Sequence, residues 1–268
     1  MSLLWRDQVR LGVGPDRLVV AAYRRGVHPR LVRKDILHVE PAESESWRAS
    51  VEAIPPALTT SATQRPDVSV VLSNTFVRYA LLPWNPALRT DAEWVALARH
   101  RLQSVHAEVP GEWEVRVTET MRGGPLVACA VERSLLDALE AKIAEGRARL
   151  LSVQPYLMAA FNRLRHKISN QTCWLVIEEP GCLLLVLIQR GSWVSIRNRR
   201  VDERWREQFP EILERESALL ALGEPCNDVV VYTPSAFETD SFGGYRLRDL
   251  TLARGTARDD QPFAMALA

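Results

Sequence analysis

The stretch that decides the fold is "VRLGVGPDRLVVAAYRRGVHPRLV", Val9 to Val32. It reads as two or three extended segments joined by turns at "GPD" and "RRG", since branched apolar residues fill the runs and Gly, Pro and Asp break them. A hairpin of this shape can also carry an Asp-x-Gly loop, whose backbone N–H groups face a phosphate and whose carboxylate holds a hydrated cation. Here the position of that carboxylate is Gly12. The hairpin is therefore either a phosphate loop that has lost its metal-holding group or a plain turn.

Composition bounds the alternatives. The chain has 268 residues, 47% apolar and 25% charged, enough for one large or two ordinary domains that bury roughly 70 to 75% of the unfolded surface. Its 34 basic and 33 acidic residues leave a net charge of +1, so no global attraction to nucleic acid is expected. Cys129, Cys173, Cys182 and Cys226 stand singly, as reduced cysteines of a cytoplasmic chain do. The start lacks a secretion-signal pattern, and the longest apolar run, Cys182 to Ile188, is too short to span a bilayer. The expected location is cytoplasmic.

Outward from the hairpin, Ser44 or Ser46 is expected to cap a short helix ended by Pro55 and Pro56. "DVSVVLSNTFVRYALLPW" (67–84) alternates as strand, turn and strand. Thr90 or Asp91 should cap an amphipathic helix, and the strands 112–120 and 125–132 flank the turn "MRGG". A helix ending at Gly146, a short strand 149–155 and a helix 156–168 follow. The pattern then restarts with a three-stranded meander from Thr172, a helix from Asp202 kinked near Pro210, a buried strand 228–234 and an edge-like strand 245–252. Hairpin, helix and strand thus occur in the same order twice, with a boundary near "KISNQ" (167–171).

Two segments carry a resemblance. "VRYALLPWNPALRTDAEWVALARHRLQSVHAEVPGEWEVRV" (77–117) has a strand ending in a Leu-Pro step, an acid-started helix and a second strand. "LVACAVERSLLDALEAKIAEGRARLLSVQPYLMAAFNRL" (126–164) continues with strand, helix, short strand and helix. In this order the chain resembles the actin-like pilus and secretion assembly proteins, a group that includes PilM, the cytoplasmic domain of type II secretion protein L and the mannose-sensitive haemagglutinin pilus biogenesis protein. The resemblance is one of pattern over about 9–232, without a diagnostic motif. It implies an α/β, actin-like (ribonuclease H-like) fold of two lobes, 1–168 and 169–268, the second truncated, with a small subdomain inserted at about 83–148.

The same resemblance places phosphate loops at Gly12 and Gly14 and at Glu178 and Gly181, in degenerate form. Gly12 has no side chain for a metal, and Pro15 and Pro180 have no N–H to donate. The adjacent acids Glu178 and Glu179 are read as a solvated turn rather than a metal site. "FGGY" (242–245) is read as a turn and not as a kinase signature. With no Walker A loop, H-E-x-x-H or G-x-S-x-G, no catalytic residue, metal or cofactor is assigned. What the resemblance then implies is a pseudo-ATPase scaffold, peripheral to the inner membrane. It would link a bitopic inner-membrane assembly protein to a motor ATPase, with a homodimer as an option and no nucleic-acid partner. An ATP-binding protein or sugar kinase with degenerate loops is the alternative. From residue types alone, Trp193, Arg197, Arg199, Arg200 and Trp205 form the candidate partner surface, because Trp and Arg dominate interface hot spots. Arg24, Arg25, Arg30, Arg33 and Lys34 form a second basic cluster.

Overall fold

The computed structural model describes residues 6–27, 29–41, 45–61, 65–106, 112–121, 123–168, 170–202, 204–221, 226–234, 241–250 and 258–267. The first half contains β1 (Gln8–Val13), β2 (Arg17–Arg24), β3 (Arg30–His38), α1 (Arg48–Glu52), α2 (Ile54–Ser61), β4 (Asp67–Leu72), β5 (Val77–Leu82), α3 (Asp91–Val105), β6 (Trp113–Glu119), β7 (Leu126–Glu132), α4 (Arg133–Glu145), β8 (Arg149–Pro155) and α5 (Tyr156–Ile168). The second contains β9 (Cys173–Glu179), β10 (Cys182–Gln189), β11 (Ser192–Arg200), α6 (Phe209–Leu219), β12 (Asp228–Tyr232), β13 (Ser241–Phe242), β14 (Tyr245–Asp249) and α7 (Ala264–Leu267).

The two large sheets repeat one topology. The first is ordered β3-β2-β1-β4-β8 and the second β11-β10-β9-β12-β14-β13. In each, an antiparallel three-stranded meander joins two parallel strands through its first strand. Sequence order and spatial order therefore coincide with the internal duplication read from the chain. The apolar run of β9 and β10 is buried on both faces, as expected for central strands packed on each side. One core runs through both lobes by way of α5, whose Phe161 meets Trp193 edge-to-face at 4.7 Å while Tyr156 meets Tyr232 at 5.8 Å.

Several local expectations shift. Ser44 lies outside the described residues, and α1 starts after Trp47 with no side-chain cap. Pro55 and Pro56 do not end a helix; they lie in the first turn of α2, where a missing N–H removes no helical hydrogen bond. Pro210 likewise starts α6 instead of kinking it. The last strand is sheltered by the two-residue β13, with Gly243 and Gly244 at φ of 57° and 86° in the turn between them, and residues 251 and 252 fall outside the described ones.

The small sheet, ordered β5-β7-β6, begins at Val77 rather than 83 and ends at Glu132 rather than 148. Alternation along β5 explains the start, since Val77 and Tyr79 enter the main core while Ala80 and Leu82 enter the small one. At the other end α4 returns to the first lobe, burying Leu135, Leu139 and Ile143 in the main core. The small core is closed by α3, whose Thr90 and Glu93 form a reciprocal capping box and whose Trp94, Ala98 and Leu102 face the sheet. Truncating Leu102, fully buried there, to Ala is expected to cost about 2–5 kcal/mol. In a hydrogen-exchange experiment the loss of protection should be confined to Val77–Glu132.

Candidate functional site

The two hairpins β1–β2 and β9–β10 face each other across the interlobe cleft. Gly12 pairs with Val19 on one side and Val71 on the other, at the centre of the first sheet. A Cβ built on it would lie 2.9 Å from Cγ and 3.1 Å from Cβ of Met265. Any larger residue at Gly12 would force the Met265 side chain of α7 to shift, because that side chain fills the space. The turn is tied to itself. Gly14 N–H donates to Arg17 O at 2.9 Å, and Ser50 Oγ donates to Gly14 O at 2.6 Å. The Asp16 carboxylate takes both arms of the Arg17 guanidinium at 2.7 and 3.0 Å.

The second hairpin corrects the reading of its acids, because alternation along β9 sends them to opposite faces. Glu178 turns to the second lobe's own side, where Arg206 donates to it at 3.0 Å and Thr233 Oγ1 also bonds it. Glu179 turns into the cleft and is 6% exposed. Its Oε1 accepts the backbone N–H of Asn74 at 2.9 Å, and the Ser73 hydroxyl also bonds it. Burial pushes its carboxyl up to about 7 against these hydrogen bonds, with Asp16 adding to the rise.

Asn74 knots the junction. Its Oδ1 accepts Tyr79 O–H at 2.6 Å and Leu157 N–H at 3.0 Å, so it caps the start of α5, and its carbonyl accepts Asn198 Nδ2 of the second lobe at 2.9 Å. Between the hairpins, Gly14, Pro15, Asp16, Glu179, Pro180 and Met265 line an open pocket of about 30 Å³, room for a water or two. A magnesium-bound triphosphate does not fit these residues. Pro15 and Pro180 cannot donate, and Asp16 adds a like charge. Among the described residues no three His, Cys, Asp or Glu side chains cluster as a metal site.

The candidate partner residues separate by the same alternation. Trp193 is 1% and Trp205 5% exposed; the first packs on Phe161 and the second edge-on against Phe209 at 5.6 Å. Both belong to cores and present no surface to a partner, a correction that follows from burying large apolar faces wherever a sheet provides one. Arg199 is bonded to Glu216 at 2.8 Å and Arg197 lies 3.9 Å from it, while Arg200 is exposed. Arg197 and Arg200 instead rim a groove of about 680 Å³ between the lobes and the small sheet, walled by Trp47, Tyr79 and Trp113 and joined by Arg78. The second basic cluster is partly spent on structure, since Lys34 pairs with Asp260 and lies over Phe263, and Arg33 pairs with Asp35.

Two substitutions test this geometry. Gly12→Asp should not create cation binding but should destabilise the chain by about 2–4 kcal/mol through overpacking and an unpaired buried acid, seen as a lower denaturation midpoint. The proton held by Glu179 contributes stability that is fully present below its ordinary value of 4.5 and lost as pH rises through about 7. Relative to Glu179→Gln, the native chain should therefore lose roughly 3 kcal/mol in urea titrations across that window.

No protein-family model matches the chain, and no curated protein matches it. Solved structures do. A Bacteroides thetaiotaomicron protein of actin-like ATPase fold and unknown function aligns over 87% of this chain and 85% of its own, at 12% identity and a TM-score of 0.60. The cytoplasmic domain of EpsL, an inner-membrane component of the Vibrio cholerae type II secretion system, aligns over 97% and 94%, at 13% and 0.59. A chain of the PilM-PilN type IV pilus biogenesis complex aligns over 80% and 67%, at 15% and 0.56. The chain has the actin-like ATPase fold.

Proposed function

We propose that this chain is a non-catalytic, cytoplasmic scaffold of a type IV pilus or type II secretion assembly platform, docking a bitopic inner-membrane protein and a motor ATPase. The observation that carries the reading is the filled cleft. Where a nucleotide-using member of this fold needs an acid and donor N–H groups between its hairpins, this chain has Gly12 under Met265, two prolines and a pocket of about 30 Å³. A fold kept without its cleft chemistry serves through its surface. The likeness to the EpsL domain and to the PilM-PilN complex supports the choice of assembly. Among the described residues no helix is long and apolar enough to cross a membrane, which suits a peripheral role. The roughly 680 Å³ groove rimmed by Arg78, Arg197 and Arg200 is the surface offered for a short cytoplasmic segment of the bitopic partner.

Calorimetric titration with Mg-ATP tests the central point. The expected result is no saturable heat up to millimolar nucleotide and no phosphate release. Micromolar binding with turnover would establish an actin-like ATPase or kinase instead.

A further inference from the structure

The cleft is shut by a contact that carries a titratable group at its centre. Glu179 comes from the second lobe, its donors from the Ser73–Asn74 turn of the first, and it is buried. The charged and titratable groups around it come from every neighbouring element, and none of them neutralises it. Asp16 of the first hairpin is a like charge whose counter-ion is Arg17. Glu178 on its own strand is held by Arg206. Tyr79 on β5, Tyr156 on α5 and Cys182 on β10 are buried groups that stay protonated, each raised chiefly by burial. Arg200 of β11 acts on Cys182 and makes no ion pair with Glu179.

We propose that the contact between Glu179 and the Ser73–Asn74 turn is a proton-controlled latch between the lobes, closed when the carboxyl is neutral and released when it ionises. A neutral carboxyl accepts the Asn74 N–H and bonds the Ser73 hydroxyl without placing a charge in the core. An ionised one is favoured by the hydrogen bonds from Ser73 and Asn74, but burial outweighs them: it is a desolvated charge with Asp16 beside it and no cation bonded to it, and opening to water relieves it. Release moves the β9–β10 turn away from the first lobe. Cys182 and Asn198 of the second lobe and Thr75 and Tyr79 of the first line the roughly 680 Å³ groove, so the same movement changes the groove's width. The raised carboxyl value, about 7, puts release in the neutral range: the closed form prevails below it and is lost as pH rises through it. This inference does not rest on the scaffold reading, because it needs only the interlobe contact.

Hydrogen exchange on the full chain at pH 6.0 and 8.5, corrected for intrinsic rates, reads the latch directly. The expected result is a tenfold or greater loss of protection at pH 8.5 in residues 74–79 and 177–183, with the β6–β7 hairpin unchanged. Glu179→Gln keeps a neutral acceptor and should remain protected at both values. In Asp16→Asn, whose like charge is gone, the midpoint should move to lower pH. Equal protection of the native chain at both values would overturn the proposal, as would the same loss in Glu179→Gln or an unmoved midpoint in Asp16→Asn.

Discussion

One asparagine holds the two halves of this molecule in register. Asn74 uses its side-chain oxygen to hold Tyr79 and the Leu157 N–H in the first turn of α5, its backbone N–H to hold Glu179, and its carbonyl to hold Asn198. Four elements from both lobes and the small sheet meet on one fully buried residue. Each bond contributes about 1 kcal/mol net, yet losing the side chain strands the buried Tyr79 hydroxyl and Leu157 N–H at 1–3 kcal/mol apiece. The position of the second lobe follows from this knot, and so does the small volume left between the hairpins.

A two-lobed fold whose halves close on a nucleotide draws part of its cohesion from the ligand. In this chain protein groups supply that cohesion. The C-terminal segment forms a strap across both lobes. Lys34 pairs with Asp260, Gln261 donates to Asp249 at 2.9 Å, Tyr232 O–H reaches Ala264 O at 3.5 Å, Arg163 donates to Leu267 O, and Met265 seats against Gly12. Gly12 admits the Met265 side chain, and the β9–β10 hairpin turns Glu179 onto the first lobe's backbone. Both contacts are packing and hydrogen bonds internal to the chain.

The architecture was legible in the sequence because periodicity and turn residues report local geometry. The repeated meanders, the Thr90 cap and the Gly146 stop all follow from neighbouring residues. Gly12 is legible as a glycine inside the first hairpin, but the reason for it is not, since Met265 lies more than 250 positions away in the chain. Glu179 was read with Glu178 as a solvated pair. Placing one acid inward and one outward depends on which face of β9 meets the other lobe, which no short window contains. Trp193 and Trp205 were read as surface because arginines surround them, whereas strand and helix phase buries both. Asn74 reads as part of a polar turn, its only local signal being a small hydrogen-bonding side chain between two strands.

The central claim is that protein atoms, rather than a nucleotide, occupy the space between the two hairpins. It is tested most directly by an experimental structure of the chain crystallised with excess magnesium and a non-hydrolysable ATP analogue. Met265 should be seated on Gly12 and Glu179 bonded to Asn74, with no phosphate density between them. A triphosphate and its cation lodged between the hairpins, with α7 displaced, would contradict it.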